Sequence, residues 1–223
     1  MNFRSFGVPL LFVLASSSTW GAEVVLLQFE RNKELLDPVA IELFDGDAPR
    51  HVANISKLVN KGFYNGTAIH RVLPGALIQL GDPLTRKNEK TDLGTGGPGY
   101  TLAPEIRRKH ERGAVGMGRL PDAINPGRLS NGSQFYFVLR PLAELDGTQT
   151  VFGKVIEGMA VLEAIGTSAT DTNDAPAQRV VIKRSKVVGS EALGAALGDW
   201  KPKGQAKGSS FWQRVGRWLH LSS

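Results

Sequence analysis

The stretch Ile69–Asp82, IHRVLPGALIQLGD, most narrows what this chain can become. Two short runs of aliphatic residues are split by Pro74-Gly75, a pair that ends a strand and turns the chain. They read as strands over Ala68–Leu73 and Leu77–Leu80. Similar runs at Val24–Phe29, Val39–Phe44, Tyr100–Leu102, Ala114–Met117, Gln134–Leu139, Val151–Ile156 and Val180–Val188 read as further strands. A helical period appears in two places. Val52, Ile55, Leu58 and Val59 make one apolar stripe over Arg50–Lys61, opened by Pro49 and closed by Gly62. Gly158–Ile165 gathers Met159, Leu162, Ala164 and Ile165 on one face. Many short strands with so few helices predict a mainly β fold, a closed or nearly closed antiparallel barrel.

Composition removes several classes of function. The absence of cysteine excludes disulfides, thiolate metal sites and cysteine nucleophiles together. A net charge of +6 invites a nucleic-acid reading. Yet Lys and Arg are scattered, with short clusters at Arg107-Arg108-Lys109 and Lys183-Arg184, so no nucleic-acid partner is expected. The loop Gly94–Gly99 (GTGGPG) lacks the Gly-Lys-Ser/Thr ending of a phosphate-binding loop. Asp171-Thr-Asn173-Asp174 lacks the glycine and closing glutamate of a calcium loop and reads as a polar turn. Neither a cofactor nor a metal is expected.

The two ends read differently from the middle. Arg4 precedes the apolar run Val8–Ala15, and a small, polar stretch follows to Ala22. That layout is a secretory signal, with an apolar run too short to span a bilayer. Residues 1–22 are expected to be a cleaved signal peptide, 23–189 the folded domain, and 190–223 a basic, Trp-containing tail. The destination expected is export, to a periplasm. In the tail, Phe211, Val215, Trp218 and Leu219 share one helical face, suited to a membrane surface, to a protein partner, or to folding back on the barrel. A monomer is expected.

Alternation places chemistry on one face. On Ala68–Leu73, Ile69, Arg71 and Leu73 point one way and Ala68, His70 and Val72 the other; Leu77 and Gln79 share a face on the next strand. An arginine beside a glutamine on the outside of a barrel can lie over an extended peptide. Gln134, Phe135, Tyr136 and Phe137 recur in a strand of matching type.

With HRVLPGALIQLGD, GTGGPGYT, GAVGMGR, NGSQFYF and LDGTQTVFGKV in this order, the chain resembles the cyclophilin family of peptidyl-prolyl cis–trans isomerases over roughly Val24–Val188. It looks like an exported, bacterial-like member. The resemblance implies a closed eight-stranded antiparallel barrel capped by two α-helices, with a groove on its outer wall for proline-containing polypeptides. Carried over residue by residue, Arg71 matches the catalytic arginine, Gln79 the glutamine beside it, and Gln134 the glutamine that hydrogen-bonds substrate backbone. Leu77, Met117, Tyr136, Leu145 and Phe152 match the proline pocket, and Gln149 stands on the groove where the family has histidine or an aromatic residue. His70, facing inward, is expected to be structural. Ala76 stands where an aromatic residue is usual, and Glu144 replaces a tryptophan that holds cyclosporin, so weak cyclosporin inhibition is expected. These departures leave an alternative: a secreted peptide-binding or chaperone module with little isomerase activity.

Overall fold

Alternation along Glu23–Arg31 (β1) sends Val25, Leu27 and Phe29 to one side and Val24 and Leu26 to the other, and both sides are buried. The computed structural model describes residues 22–87 and 92–202, so the signal segment, apart from Ala22, and the amphipathic stretch Phe211–Leu221 lie outside the described residues. After β1 come β2 (Glu34–Leu35), β3 (Val39–Leu43), α1 (Pro49–Asn60), β4 (Arg71–Leu73) and β5 (Leu77–Leu80). Then follow β6 (Thr101–Leu102), β7 (Ala114–Met117), β8 (Ser130–Asn131), β9 (Phe135–Val138), β10 (Val151–Glu157), α2 (Met159–Gly166), β11 (Val180–Gly189) and α3 (Leu193–Trp200).

All pairings are antiparallel, and the main sheet runs β11-β1-β3-β10-β7-β9-β5-β4 with β2 beside β1. The sheet curls but does not form the closed barrel expected. Among the described residues, β11 meets the segment leading into β4 at an isolated bridge between Ala68 and Val181, flanked by Gly66 N to Ile182 O (2.8 Å), Ile69 N to Val180 O (2.9 Å) and Ile182 N to Thr67 O (2.8 Å). The reason lies in the next amides. His70 N donates to Gln79 O, and Val72 N donates to Asp174 O at 2.7 Å, so a loop occupies the edge of β4 that a ladder to β11 would need. For the same reason Ile69 does not share the face of Arg71 as alternation suggests. The strand begins only at Arg71, and Ile69 is buried in the core.

The concave side holds one apolar core. Phe135 meets Tyr64, Phe137 and Phe152 edge-on at 5.5–6.0 Å between ring centres, and α1 closes one end with Val52, Ile55, Leu58 and Val59. α2 adds Leu162 and Ile165. A third helix, α3, lies within the segment expected to be tail. Its Leu193, Leu197 and Trp200 cover Val24, Leu26, Ala40 and Val188 on the convex side. The buried Gln28 amide fastens it, donating to Trp200 O (2.6 Å) and Leu36 O (3.0 Å), while Arg184 donates to its Oε1 and stacks over the Trp200 ring.

Candidate active-site groove

Strand register lines up a row of residues across the convex face. Arg71 on β4 faces Gln79 on β5, Gln79 faces Tyr136 on β9, Tyr136 faces Gly116 on β7, and Gly116 faces Val151 on β10. Cross-strand partners share a face of the sheet, so the row forms a continuous floor. Gly116 is required there, since a Cβ at this position would sit 2.4 Å from the Tyr136 ring. The ring lies against the sheet because its neighbour has no side chain.

A cavity of about 350 Å³ opens over this row. Of the residues expected at the site, Arg71, Leu77, Gln79, Tyr136, Leu145 and Gln149 line it, with the two altered positions Ala76 and Glu144. Met117 and Phe152 do not. Both are fully buried on the concave side, Met117 opposite Phe135 and Phe152 packed against it. Apolar size suits them to a pocket, but register turns them into the core.

Gln134 is also absent from the lining. It is 2% exposed, and its Nε2 donates to Gly94 O (2.8 Å) and Gly96 O (2.7 Å) while its Oε1 accepts from Gln79 Nε2 (2.9 Å). Its amide is therefore occupied in tying Gln79 to the glycine loop. That loop wraps the buried Asp82, whose carboxylate accepts from Leu84 N, Gly94 N and Gly96 N. Gly96 has to be glycine here, because a Cβ would meet Asp82 Oδ1 at 2.1 Å.

Other lining residues were not anticipated: Leu73, Gly118, Arg119, Arg140 and Leu142. Arg119 donates to Thr148 O and Leu120 O (both 2.8 Å) and pairs with Asp122, which also pairs with Arg128. The segment Leu120–Leu129 is thus pinned to the rim by ion pairs. Arg140 and Glu144 face each other loosely at 3.8 Å. Arg119, Arg140 and Leu142 stand outside the strands, so strand alternation gives no signal for them.

Two buried histidines neighbour these residues. Tyr136 donates its hydroxyl to His110 Nε2 (2.8 Å), and His110 Nδ1 donates to Asp146 (3.0 Å). Burial lowers the His110 pKa against the pull of Asp146, and burial raises that of Tyr136, so both groups are neutral here. His70, beside Arg71 in sequence, is buried with neither ring nitrogen bonded, and burial lowers its pKa to about 4. Arg71 itself is exposed and donates through Nε to Asp174 Oδ2 at 3.3 Å. Among the described residues, no cluster of His, Asp and Glu is placed to hold a metal.

Residues 26–187 match the family model described as "Cyclophilin type peptidyl-prolyl cis-trans isomerase/CLD". The chain belongs to this family, and its activity is that of a peptidyl-prolyl cis–trans isomerase. It is 39% identical over 158 residues to "Peptidyl-prolyl cis-trans isomerase-like 1" of Emericella nidulans, covering 68% of this chain and 90% of that protein. It is 42% identical over 124 residues to "Peptidyl-prolyl cis-trans isomerase B" of Bacillus subtilis, covering 54% and 78% respectively. A crystal structure of a Cryptosporidium parvum cyclophilin-type isomerase superposes with a TM-score of 0.64 at 26% identity, over 77% of this chain and 99% of that one. A second crystal structure of that protein, in the presence of the dipeptide Ala-Pro, gives a TM-score of 0.62 at 27% identity over 75% and 99%.

Proposed function

We propose that the groove binds an extended segment with proline over Leu77, Tyr136 and Leu145, and that Arg71 favours the half-rotated X–Pro bond. Rotation about that bond is opposed by ~18–20 kcal/mol of amide resonance, and no bond need break. In the twisted amide the nitrogen gains a lone pair, and a guanidinium that bonds it more strongly than the planar form lowers the barrier. A charge-assisted hydrogen bond is worth ~1.5–3 kcal/mol. With each 1.36 kcal/mol worth tenfold, Arg71 supplies roughly ten- to a hundredfold. The remainder comes from holding the flanking backbone, a task for Gln79, which Gln134 braces from behind.

The observation that carries this reading is the row Arg71–Gln79–Tyr136 lying under one cavity. A related chain crystallised in the presence of Ala-Pro supports a proline-containing ligand for this groove. The test is a protease-coupled assay on a proline tetrapeptide. Arg71→Ala is expected to lose roughly ten- to a hundredfold in kcat/KM with its melting temperature unchanged. Activity equal to the unaltered protein would overturn the role given to Arg71.

The substrates in this reading are exported polypeptides, on the strength of the Arg4, Val8–Ala15 and Ser16–Ala22 layout. Intact-mass measurement of protein recovered from the cell envelope is expected to show loss of the segment up to about Ala22. Recovery from the cytosol at full mass would contradict export.

A further inference from the structure

Arg71 sits on the end strand of the sheet, with β5 on one side and the loop 168–179 on the other. That loop is docked at the neighbouring residue, where Val72 N donates to Asp174 O at 2.7 Å. From the same residue the carboxylate accepts from Arg71 Nε at 3.3 Å. One residue therefore holds both the backbone of the strand and the side chain on it.

The loop fixes Asp174 before any substrate arrives. Asp171 Oδ1 accepts from Asn173 N and Ala175 N (both 3.0 Å), Asp171 N donates to Ala175 O, and Asp174 N donates to Asp171 O. An isolated bridge between Thr170 and Pro176, with Ala177 N donating to Ala169 O, closes the loop below. Asp174 has a φ of +60°, a left-handed conformation that aspartate and asparagine adopt more readily than most residues. Its backbone is held by its own turn, so the carboxylate is offered to Arg71 from a fixed Cα.

We propose that Asp174 is a positioning residue for Arg71: by engaging Nε from the loop side, it turns the two terminal guanidinium nitrogens toward the groove. Arginine carries its donors in a planar fork, so fixing one edge fixes the direction of the others. Asp174 does not line the cavity, whereas Arg71 does, so Asp174 acts through Arg71. Both side chains are nearly half exposed, at 44% and 43%, so the pair contributes little to folding and its effect falls on orientation.

The inference rests on the role proposed for Arg71, and a double-mutant cycle separates the two. Asp174→Gly removes the carboxylate at a backbone angle glycine accepts, and Asp174→Asn keeps an acceptor without the charge. Exchange spectroscopy on a proline peptide is expected to show kcat lower by about fivefold in Asp174→Gly, with KM little changed and Asp174→Asn between the two. On an Arg71→Ala background the same Asp174→Gly change is expected to have no further effect on kcat. An unchanged or raised kcat in Asp174→Gly overturns the inference, as does an equal fractional loss on the Arg71→Ala background. Should Arg71→Ala itself leave kcat intact, the reading of Arg71 fails instead.

Discussion

The convex face of the sheet carries two apolar patches that meet different fates. On β1, β3 and β11 the side chains Val24, Leu26, Ala40 and Val188 lie under α3. On β5, β7, β9 and β10, Leu77, Ala114, Tyr136 and Val151 form a similar patch, with a cavity opening over Leu77 and Tyr136. Polar groups are buried near both. Gln28, under the helix, has its amide bonded to Trp200, Leu36 and Arg184. His70, behind the groove, has both ring nitrogens unbonded. The patch that serves the fold is covered, while the patch that serves a ligand stays open.

The largest change is expected on the covered side. Trp200→Ala removes the ring that packs on Leu26 and Val188 and under Arg184, at about 3–5 kcal/mol by urea unfolding. Its kcat/KM is expected to stay unchanged, and a parallel loss of activity would join the two patches into one unit.

Acid sharpens the contrast from the open side. The pKa of His70 is about 4 in the folded chain against 6.5 when exposed, so the unfolded chain binds the extra proton between those values. The stability it contributes is complete above about pH 6.5 and is lost as pH falls toward 4, by about 3 kcal/mol. Burial also lowers the pKa of His51 and His110, with the same sign. His70→Phe, which binds no proton, is expected to flatten part of that pH slope in unfolding measurements at pH 7.5 and 4.5; an identical slope would show that His70 does not titrate on unfolding.

The smallest of these effects tests the floor itself. Gly116→Ala drives a methyl against the Tyr136 ring, and displacing the ring is expected to cost about 1–3 kcal/mol in stability and raise KM for a proline peptide. An unaltered KM would mean that Tyr136 does not set the floor.

The same contrast explains what could be read from the residues. Residue type and turn signals located most of the strands, and period-two alternation put Arg71 beside Gln79, because these depend on neighbours in sequence. It could not supply register. Tyr136 faces Gly116 and Gly116 faces Val151, which sends the adjacent Met117 and Phe152 inward. The closing seam failed for a related reason, since Asp174 takes the amide of Val72 from more than a hundred residues away. The helix Leu193–Trp200 (LGAALGDW) holds two glycines and has weak intrinsic preference for a helix, so packing against β1 and β11 decides its shape. Gln134 was recognisable as part of a motif, but its partners on the glycine loop were not.

Whether a single guanidinium selects the half-turned amide can be read from exchange spectroscopy on a proline peptide at saturating and sub-saturating Arg71→Ala. Turnover of the bound peptide is expected to fall roughly ten- to a hundredfold while its dissociation constant changes by less than about threefold. Losses of equal size in turnover and affinity would make Arg71 a gripping residue and contradict the account.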